Sequence, residues 1–372
     1  MKKILLLGGS AQQVIAIETA KKLGYYTVLC DFLTDNPGQY VADKFYLVST
    51  TDKETVLNVA LSEKVDGVLA YASDPAAPTA AYISQKMGLP GNPYESVEIL
   101  CNKDKFRNFL SKNGFNTPVA NGYMNITDAL NDIQRYKLPV IVKPVDSSGS
   151  KGATVLYSWE CLKDAVEAAF SFSRCNRIII EEFIEKKHKF LIGGDIFVLN
   201  GNVTLWGLMN CHRDNKVNSL VPIGKSYPLE LENGDINKVK DTLQDLVNKL
   251  YIKDGAMNVE LIVDKNDDVW LIDVGPRNGG NMIPDLLGYI FNINVAMGDA
   301  PDISKYKPVP FYATHNLHSD KNGIFDKIIF SEEAEHFIIK KCIYKKKGDK
   351  VEYFDNASKA LGIIFFNFDS AG

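Results

Sequence analysis

Cysteine is scarce and scattered in this chain. The six residues, Cys30, Cys101, Cys161, Cys175, Cys211 and Cys342, form no CxxC pair and share no zinc-like spacing with histidine. A disulfide framework and a structural zinc site are thereby excluded, and the usage fits a reducing compartment. Long apolar runs are missing as well, since no stretch approaches the ~18 residues of a membrane span. The opening Met1–Ser10 offers only Ile4 to Leu7 before Gly8, too little for the apolar region of a secretory signal. Nor is there an excess of positive charge: 42 Lys and Arg face 46 Asp and Glu, for a net charge of −4. That balance argues against a nucleic-acid partner and an anionic membrane surface. The one basic run, Lys345-Lys346-Lys347, precedes a Gly-Asp turn and reads as a solvated hairpin tip. Internal repeats and low-complexity linkers are absent. The expectation is a soluble, cytoplasmic protein.

What is present is a chain of 372 residues, 45% hydrophobic and 24% charged, long enough for two or three packed domains. Short apolar strands alternate with helical patterns at the start. Strands are expected at Ile4–Leu7, Tyr26–Asp31, Lys44–Val48 and Gly67–Tyr71, with helices at Gln12–Leu23, Lys53–Ser62 and Thr79–Met87. Such alternation specifies a parallel sheet covered by helices. Gly88 to Pro93 punctuates its end. A helix over Lys103–Lys112 follows, then strands at Pro139–Pro144, Ala153–Tyr157 and Ile178–Ile180, and a helix at Cys161–Phe172. Segments around Ile196–Val198, Val203–Leu208, Met257–Val263 and Val269–Val274 read as an antiparallel sheet, with a helix from Ile236 to Leu250. The tail beyond Pro301 carries short strands.

Two nucleotide signals compete. Gly8-Gly9-Ser10-Ala11-Gln12-Gln13 follows the first strand but misses the GxGxxG spacing, although Asp31 lies where a ribose-binding acid of a dinucleotide site would. A tight strand-to-helix turn needs glycine for its own reasons. Alternatively, its amides hold part of a substrate at a helix N-terminus. The second signal is a constellation. Lys103 and Lys143 are each tied to a regular element, where a lone lysine would be an ordinary solvated charge. Asp146 to Gly152 is a loop of small and polar residues whose amides and hydroxyls suit a polyphosphate. Ile178–Ile180 runs into Glu181-Glu182-Phe183-Ile184, where a strand end can offer backbone groups to an adenine edge. Glu260 and Asp273 lie on segments joined by a turn from Asp264 to Asp268, so a hairpin would bring both carboxylates into one cleft. Paired carboxylates repel unless a cation intervenes; Mg²⁺ or Arg277 would serve. The other reading is a strand-end salt bridge between Asp273 and Arg277.

Together these residues resemble the ATP-grasp superfamily, including carboxylate–amine ligases similar to D-alanine–D-alanine ligase, biotin carboxylase and purine-pathway ligases. The resemblance covers essentially the whole chain. It implies an α/β and α+β fold with a Rossmann-like N-terminal domain over residues 1–98. An ATP-grasp domain over 99–300, with a lid at about 115–184, and a C-terminal lobe of small strands over 301–372 would follow. By position, Lys103 and Lys143 would bind phosphates, and Ser147, Ser148, Gly149, Ser150 and Lys151 would belong to the mobile loop over them. Glu181, Glu182, Phe183 and Ile184 would form the adenine hinge. Glu260 and Asp273 would hold Mg²⁺, with Mn²⁺ as its substitute, and Arg277 would meet the reacting phosphate. Arg213, in His212-Arg213-Asp214, is the candidate guanidinium for the substrate carboxylate.

Two positions depart from the family pattern. Gly275 stands where a metal-binding asparagine is common, with Asn278 or Asn281 as replacements. The usual ribose-binding glutamate is missing, leaving His188 or Asp195. The implied reaction activates a small-molecule carboxylate with ATP as an acyl phosphate and joins it to an amine. A homodimer is compatible with the resemblance. The rivals are a biotin- or bicarbonate-dependent carboxylase of the same fold, a non-catalytic nucleotide-binding module and, from the Gly8 turn, an NAD-dependent oxidoreductase.

Overall fold

Ile4, Leu5, Leu6 and Leu7 are all buried, and successive residues feed different cores. Leu5 and Leu7 pack with Val56, Ala60 and Ile83 on one face; Ile4 and Leu6 pack with Ala16, Ile17 and Ala20 on the other. This two-sided burial explains why β1 (Lys3–Leu7) reads as an unbroken apolar run. In the computed structural model, which describes residues 1–147, 149–280, 291–305 and 310–370, β1 lies in a parallel sheet. Its companions are β2 (Tyr26–Asp31), β3 (Lys44–Leu47) and β4 (Gly67–Leu69), in the order β3-β2-β1-β4. Helices α1 (Val14–Lys22), α2 (Lys53–Glu63) and α3 (Ala77–Met87) connect and cover it. A short helix from far along the chain, Asn292–Ala296, returns to this sheet, and Ile293 and Ala296 complete the core beneath α1.

Two helices separated by Asn102 alone lead onward: α4 (Tyr94–Cys101) and α5 (Lys103–Lys112). The first was not anticipated; its glutamates hide an apolar face that buries Val97 and Leu100. A second sheet combines β5 (Ala120–Tyr123), β6 (Val140–Pro144), β7 (Thr154–Leu156) and β8 (Ile178–Glu182) in the antiparallel order β5-β8-β6-β7. Helices α6 (Ile126–Asn131) and α7 (Leu162–Phe172) back it through Ala129, Leu162, Val166 and Ala169.

The third sheet has eight strands. They are β9 (Leu191–Leu199), β10 (Asn202–Asp214), β11 (Asn218–Ser226), β12 (Gly255–Val263), β13 (Val269–Gly275) and β14 (Tyr312–Leu317), joined by two strands of the tail. A small ribbon, β15 (Gly323–Ile324) with β17 (Lys350–Val351), flanks the tail strands β16 (Ile338–Ile343) and β18 (Gly362–Asn367). The sheet order is β13-β12-β9-β10-β11-β14-β18-β16. Three strands of the tail therefore extend the main sheet, because the free edge of β11 offers backbone groups that β14 pairs. The basic run lies in the exposed turn between β16 and β17, as its composition suggested.

Helix α8 (Asn233–Lys249) lays Val239, Leu243, Leu246 and Val247 against Ile192, Ile196, Met257, Val259 and Leu261 of this sheet. Because side chains alternate along a strand, Gly193, Asp195, Asn258 and Glu260 point to the opposite face. That face is the floor of a cleft. Between Gly193 and Asp195, Gly194 stands at φ +137°, where an added Cβ would lie 1.9 Å from the Gly207 carbonyl oxygen. We expect Gly194→Ala to cost ~3 kcal/mol or more, since both the backbone conformation and the space exclude a side chain. Gly88→Ala, at φ +66° in open space, should cost only about 1 kcal/mol. The midpoints of urea unfolding of the two variants check the contrast.

Candidate active site

The turn from Asp264 to Asp268 closes an antiparallel hairpin of β12 and β13 in which Glu260 stands directly opposite Asp273. A register shift after Glu260 lets Leu261 and Leu271 stay in the core while both carboxylates face the cleft. Cations from several elements surround the pair. Lys103, at the start of α5, lies 3.6 Å from Asp273 and donates to the Ser147 carbonyl at 2.8 Å. Arg213 lies 3.4 Å from Glu260. The recess around Asp273 raises its carboxyl pKa, but Lys103, Lys143, Arg277 and Arg107 outweigh that and hold it below the ordinary aspartate value. Two facing carboxylates in a cation-rich cleft are a fitting donor set for a hard divalent cation.

Lys143, on β6, is buried and pairs with Glu181 on β8. Arg107 of α5 donates to the same carboxylate at 2.8 and 3.3 Å, and to the carbonyls of Leu271 and Ile272 at 3.0 and 2.7 Å. Burial pushes Glu181 up, yet Arg107 and Lys143 prevail and bring it down to about 2. Burial also pushes Lys143 down, Glu181 partly offsetting the loss. One buried network thus ties α5 and the second sheet to the strand that carries Asp273.

Arg277 departs from its expected freedom. Its Nε and Nη2 donate to both oxygens of Asp74 at 2.6 and 2.5 Å, and its Nη1 donates to the Asn278 carbonyl at 3.0 Å. Asp74 follows β4, so this pair joins the first sheet to the third. The alternative partner, Asp273, does not take Arg277 in a salt bridge. Arg213 lies within β10.

The loop after β6 turns through three left-handed residues, Gly149 at φ +66°, Ser150 at φ +62° and Gly152 at φ +70°. Ser147 Oγ donates to the Lys151 carbonyl at 3.1 Å, Ser150 Oγ donates to the Leu220 carbonyl at 2.8 Å, and Lys151 is exposed. Ser148 lies outside the described residues, as does Asn281.

The expected hinge is narrower than its sequence suggests. Glu181 and Glu182 are paired within the sheet, the Glu182 carboxylate accepts the Lys137 N–H at 2.8 Å, and the Phe183 N–H is spent on Pro139. Only the segment beginning with the Phe183 carbonyl and Ile184 continues past the sheet pairing. Both ribose candidates are corrected. His188 Nε2 accepts the Val263 N–H at 3.0 Å, closing the end of β12, and burial lowers its pKa. Asp195 is fully buried and accepts from the Gly279 N–H and Asn258 at 2.9 Å, with burial raising its carboxyl. Its work is to hold the turn that presents Arg277. Asn278 is likewise spent: it donates to Asp195 at 3.4 Å and accepts from Asn292 at 2.6 Å.

The glycine turn after β1 is filled by the protein itself. Gln13 donates to the Tyr71 carbonyl at 2.8 Å and accepts the Ser10 N–H at 2.9 Å, lying where a side chain at Gly8 would be. Asp31 accepts the N–H groups of Gly9 and Leu33 at 2.7 and 2.8 Å. The acid that a dinucleotide ribose would need is therefore occupied, and the oxidoreductase reading loses its residues.

One buried lysine beside the cleft floor escaped the sequence reading. Lys225 of β11 is 5% exposed, and its ammonium donates to the Cys211 sulfur at 2.9 Å. Its ammonium sits 3.1 Å from where a side chain at Gly193 would begin, and Gly193 pairs with Glu260. A lysine directly after the run Val221 to Gly224 was the available signal.

Residues 100–281 match the family described as ATP-grasp domain. The carbamoyl phosphate synthase large chain of Clostridium beijerinckii is 26% identical over 274 residues, covering 71% of this chain and 24% of that one. The chain spans about a quarter of the length of the carbamoyl phosphate synthase large chains it matches. Among solved structures, the L-amino acid ligase from Bacillus licheniformis superposes with a TM-score of 0.81 at 21% identity, over 100% of this chain and 94% of that one. The biotin carboxylase domain of Hydrogenobacter thermophilus 2-oxoglutarate carboxylase, in complex with MgADP, ADP and bicarbonate, gives 0.74 at 15%, over 99% and 86%. At these identities the two structures establish the shared fold. No helix among the described residues is long and apolar enough to cross a membrane.

The Arg107–Glu181–Lys143 network carries a stability prediction. Glu181→Gln leaves two buried cations without their anion and should cost ~3–5 kcal/mol. The folded-state pKa of Glu181 is depressed below 4.5 to about 2. Its contribution is therefore complete above pH ~4.5 and fades as pH falls towards ~2. Acid unfolding of the wild type should show that loss, and the variant should lack it.

Proposed function

We propose, from the premise that residues 100–281 carry an ATP-grasp domain, that this cleft couples ATP to amide formation. A substrate carboxylate oxygen attacks the γ-phosphorus, the bond to the bridging oxygen breaks and ADP leaves. An amine nitrogen then attacks the acyl carbon, phosphate departs and the nitrogen gives up its proton. The observation that carries this reading is the register that sets Glu260 against Asp273 between Lys103 and Arg213. The MgADP in the biotin carboxylase domain supports it from a protein of the same fold.

Each residue then has a task. Lys103, Lys143 and the loop at Gly149 to Gly152 hold the phosphates, and that loop keeps water from the acyl phosphate. Ile184, past the end of the sheet pairing, offers backbone groups to the base. Glu260 and Asp273 would hold magnesium, which when bound neutralises charge on the phosphates. Lys225 and Arg213 face the reacting end and stabilise negative charge on the transferred group. The protein contributes positioning and charge rather than a covalent intermediate.

Magnesium-dependent ADP release with pooled carboxylates and amines, followed by mass spectrometry, tests the reading. ADP appearing together with an amide mass supports it; ADP that depends on bicarbonate alone replaces it with a carboxylase. Asp273→Asn should abolish ADP release while nucleotide affinity stays within roughly tenfold. Lys225→Met should lower kcat by ~10²-fold, the scale of one lost charge-stabilising donor, with a smaller effect on ATP affinity. Unchanged turnover in either variant would remove that residue from the site.

A further inference from the structure

The donors around the hairpin are few, and most are already spent. Among the described residues, no group of three or more His, Cys, Asp or Glu side chains gathers at metal-binding distance. Beyond Glu260 and Asp273, the nearby oxygen donors have other work. Asn278 is nearly fully buried with its amide divided between Asp195 and Asn292. Asp195 is occupied by Gly279 and Asn258. Asp74 gives both oxygens to Arg277.

The position of Asp74 is informative. Gly275 is two residues beyond Asp273 and pairs with Asn258. A Cβ at Gly275 would lie 2.6 Å from Asp74 Oδ1 and 3.1 Å from the Arg277 guanidinium carbon. The missing side chain is thus the condition for an ion pair reaching across from the first sheet. The guanidinium brings a fixed positive charge to the end of β13, while Lys103 and Arg213 flank the carboxylates at 3.6 and 3.4 Å. A first divalent cation neutralises the two carboxylates. A second would have to share them beside three resident cations, and like charges at short range repel.

We propose that the Glu260–Asp273 pair takes one divalent cation, and that the Asp74–Arg277 pair, seated in the space left by Gly275, occupies the ground on which a second would stand. The charge a second ion would bring to the phosphates comes instead from Arg213 and Lys225. This inference rests on the nucleotide-binding reading above, and its test separates the two.

Equilibrium dialysis of the full chain against millimolar Mn²⁺ and ADP, with both retained species counted, is the experiment. One Mn²⁺ per ADP per chain is expected; two per chain overturn the proposal and leave the nucleotide reading standing. Retention of neither overturns both. Gly275→Asn combined with Asp74→Ser should raise the ratio from one to two, and a ratio still at one would show that the pair excludes nothing. Should that double variant fail to fold, Asp74→Asn combined with Arg277→Gln keeps much of the shape, removes the fixed positive charge and leaves amide oxygens in its place. Its ratio should then rise above one, and an unchanged ratio would count against the proposal.

Discussion

Two carboxylates that face each other on one hairpin set the terms for everything around them. Glu260 and Asp273 would repel if left alone. The fold answers by drawing positive charge from separate parts of the chain: Lys103 and Arg107 from α5, Lys143 from β6, Arg213 from β10 and Arg277 from the turn after β13. No single element could supply these groups. The convergence of three sheets is what makes the pair tolerable, and the phosphate role proposed for the cleft rests on the same convergence.

The supports for that cleft are themselves buried and hydrogen-bonded. Arg107 reaches the carbonyls of Leu271 and Ile272, just before Asp273, while holding Glu181. Movement of the second sheet is therefore coupled to the strand that carries an acid of the site. On the other side, Asp195 fastens the Gly279 amide and Asn278 joins it to Asn292, on the short helix that returns to the first sheet. The Asp74–Arg277 pair closes the same circuit at its rim. Removing one partner of either ion pair would strand a charge, which is why such networks hold geometry even where they add little net stability.

Much of the architecture was legible because it is periodic. The alternation that placed β1 to β4 and their helices, the spacing of β12 and β13, and the short turn between them each follow from local rules. So does the meeting of Glu260 with Asp273, since a hairpin register needs only the turn and the apolar pattern. Residues whose meaning depends on a remote partner were not legible. His188 looks like a free surface group until Val263 arrives from seventy-five positions away. Glu181 looks like a strand end offering groups to a ligand, yet Arg107 and Lys143 consume its carboxylate. Lys225 carried no motif; its buried setting is made by Cys211 and Gly193, remote in sequence from each other.

By itself the sequence determined most of the strands and helices and the hairpin that joins the two acids. These rest on interactions among neighbours, where dihedral preference and apolar period are sufficient. Only the tertiary structure decided which charged groups remain free and which are consumed within the protein. Electrostatic partnership is set by distance through space, and a carboxylate such as Asp74 meets its arginine two hundred and three residues later, beyond the reach of any local rule.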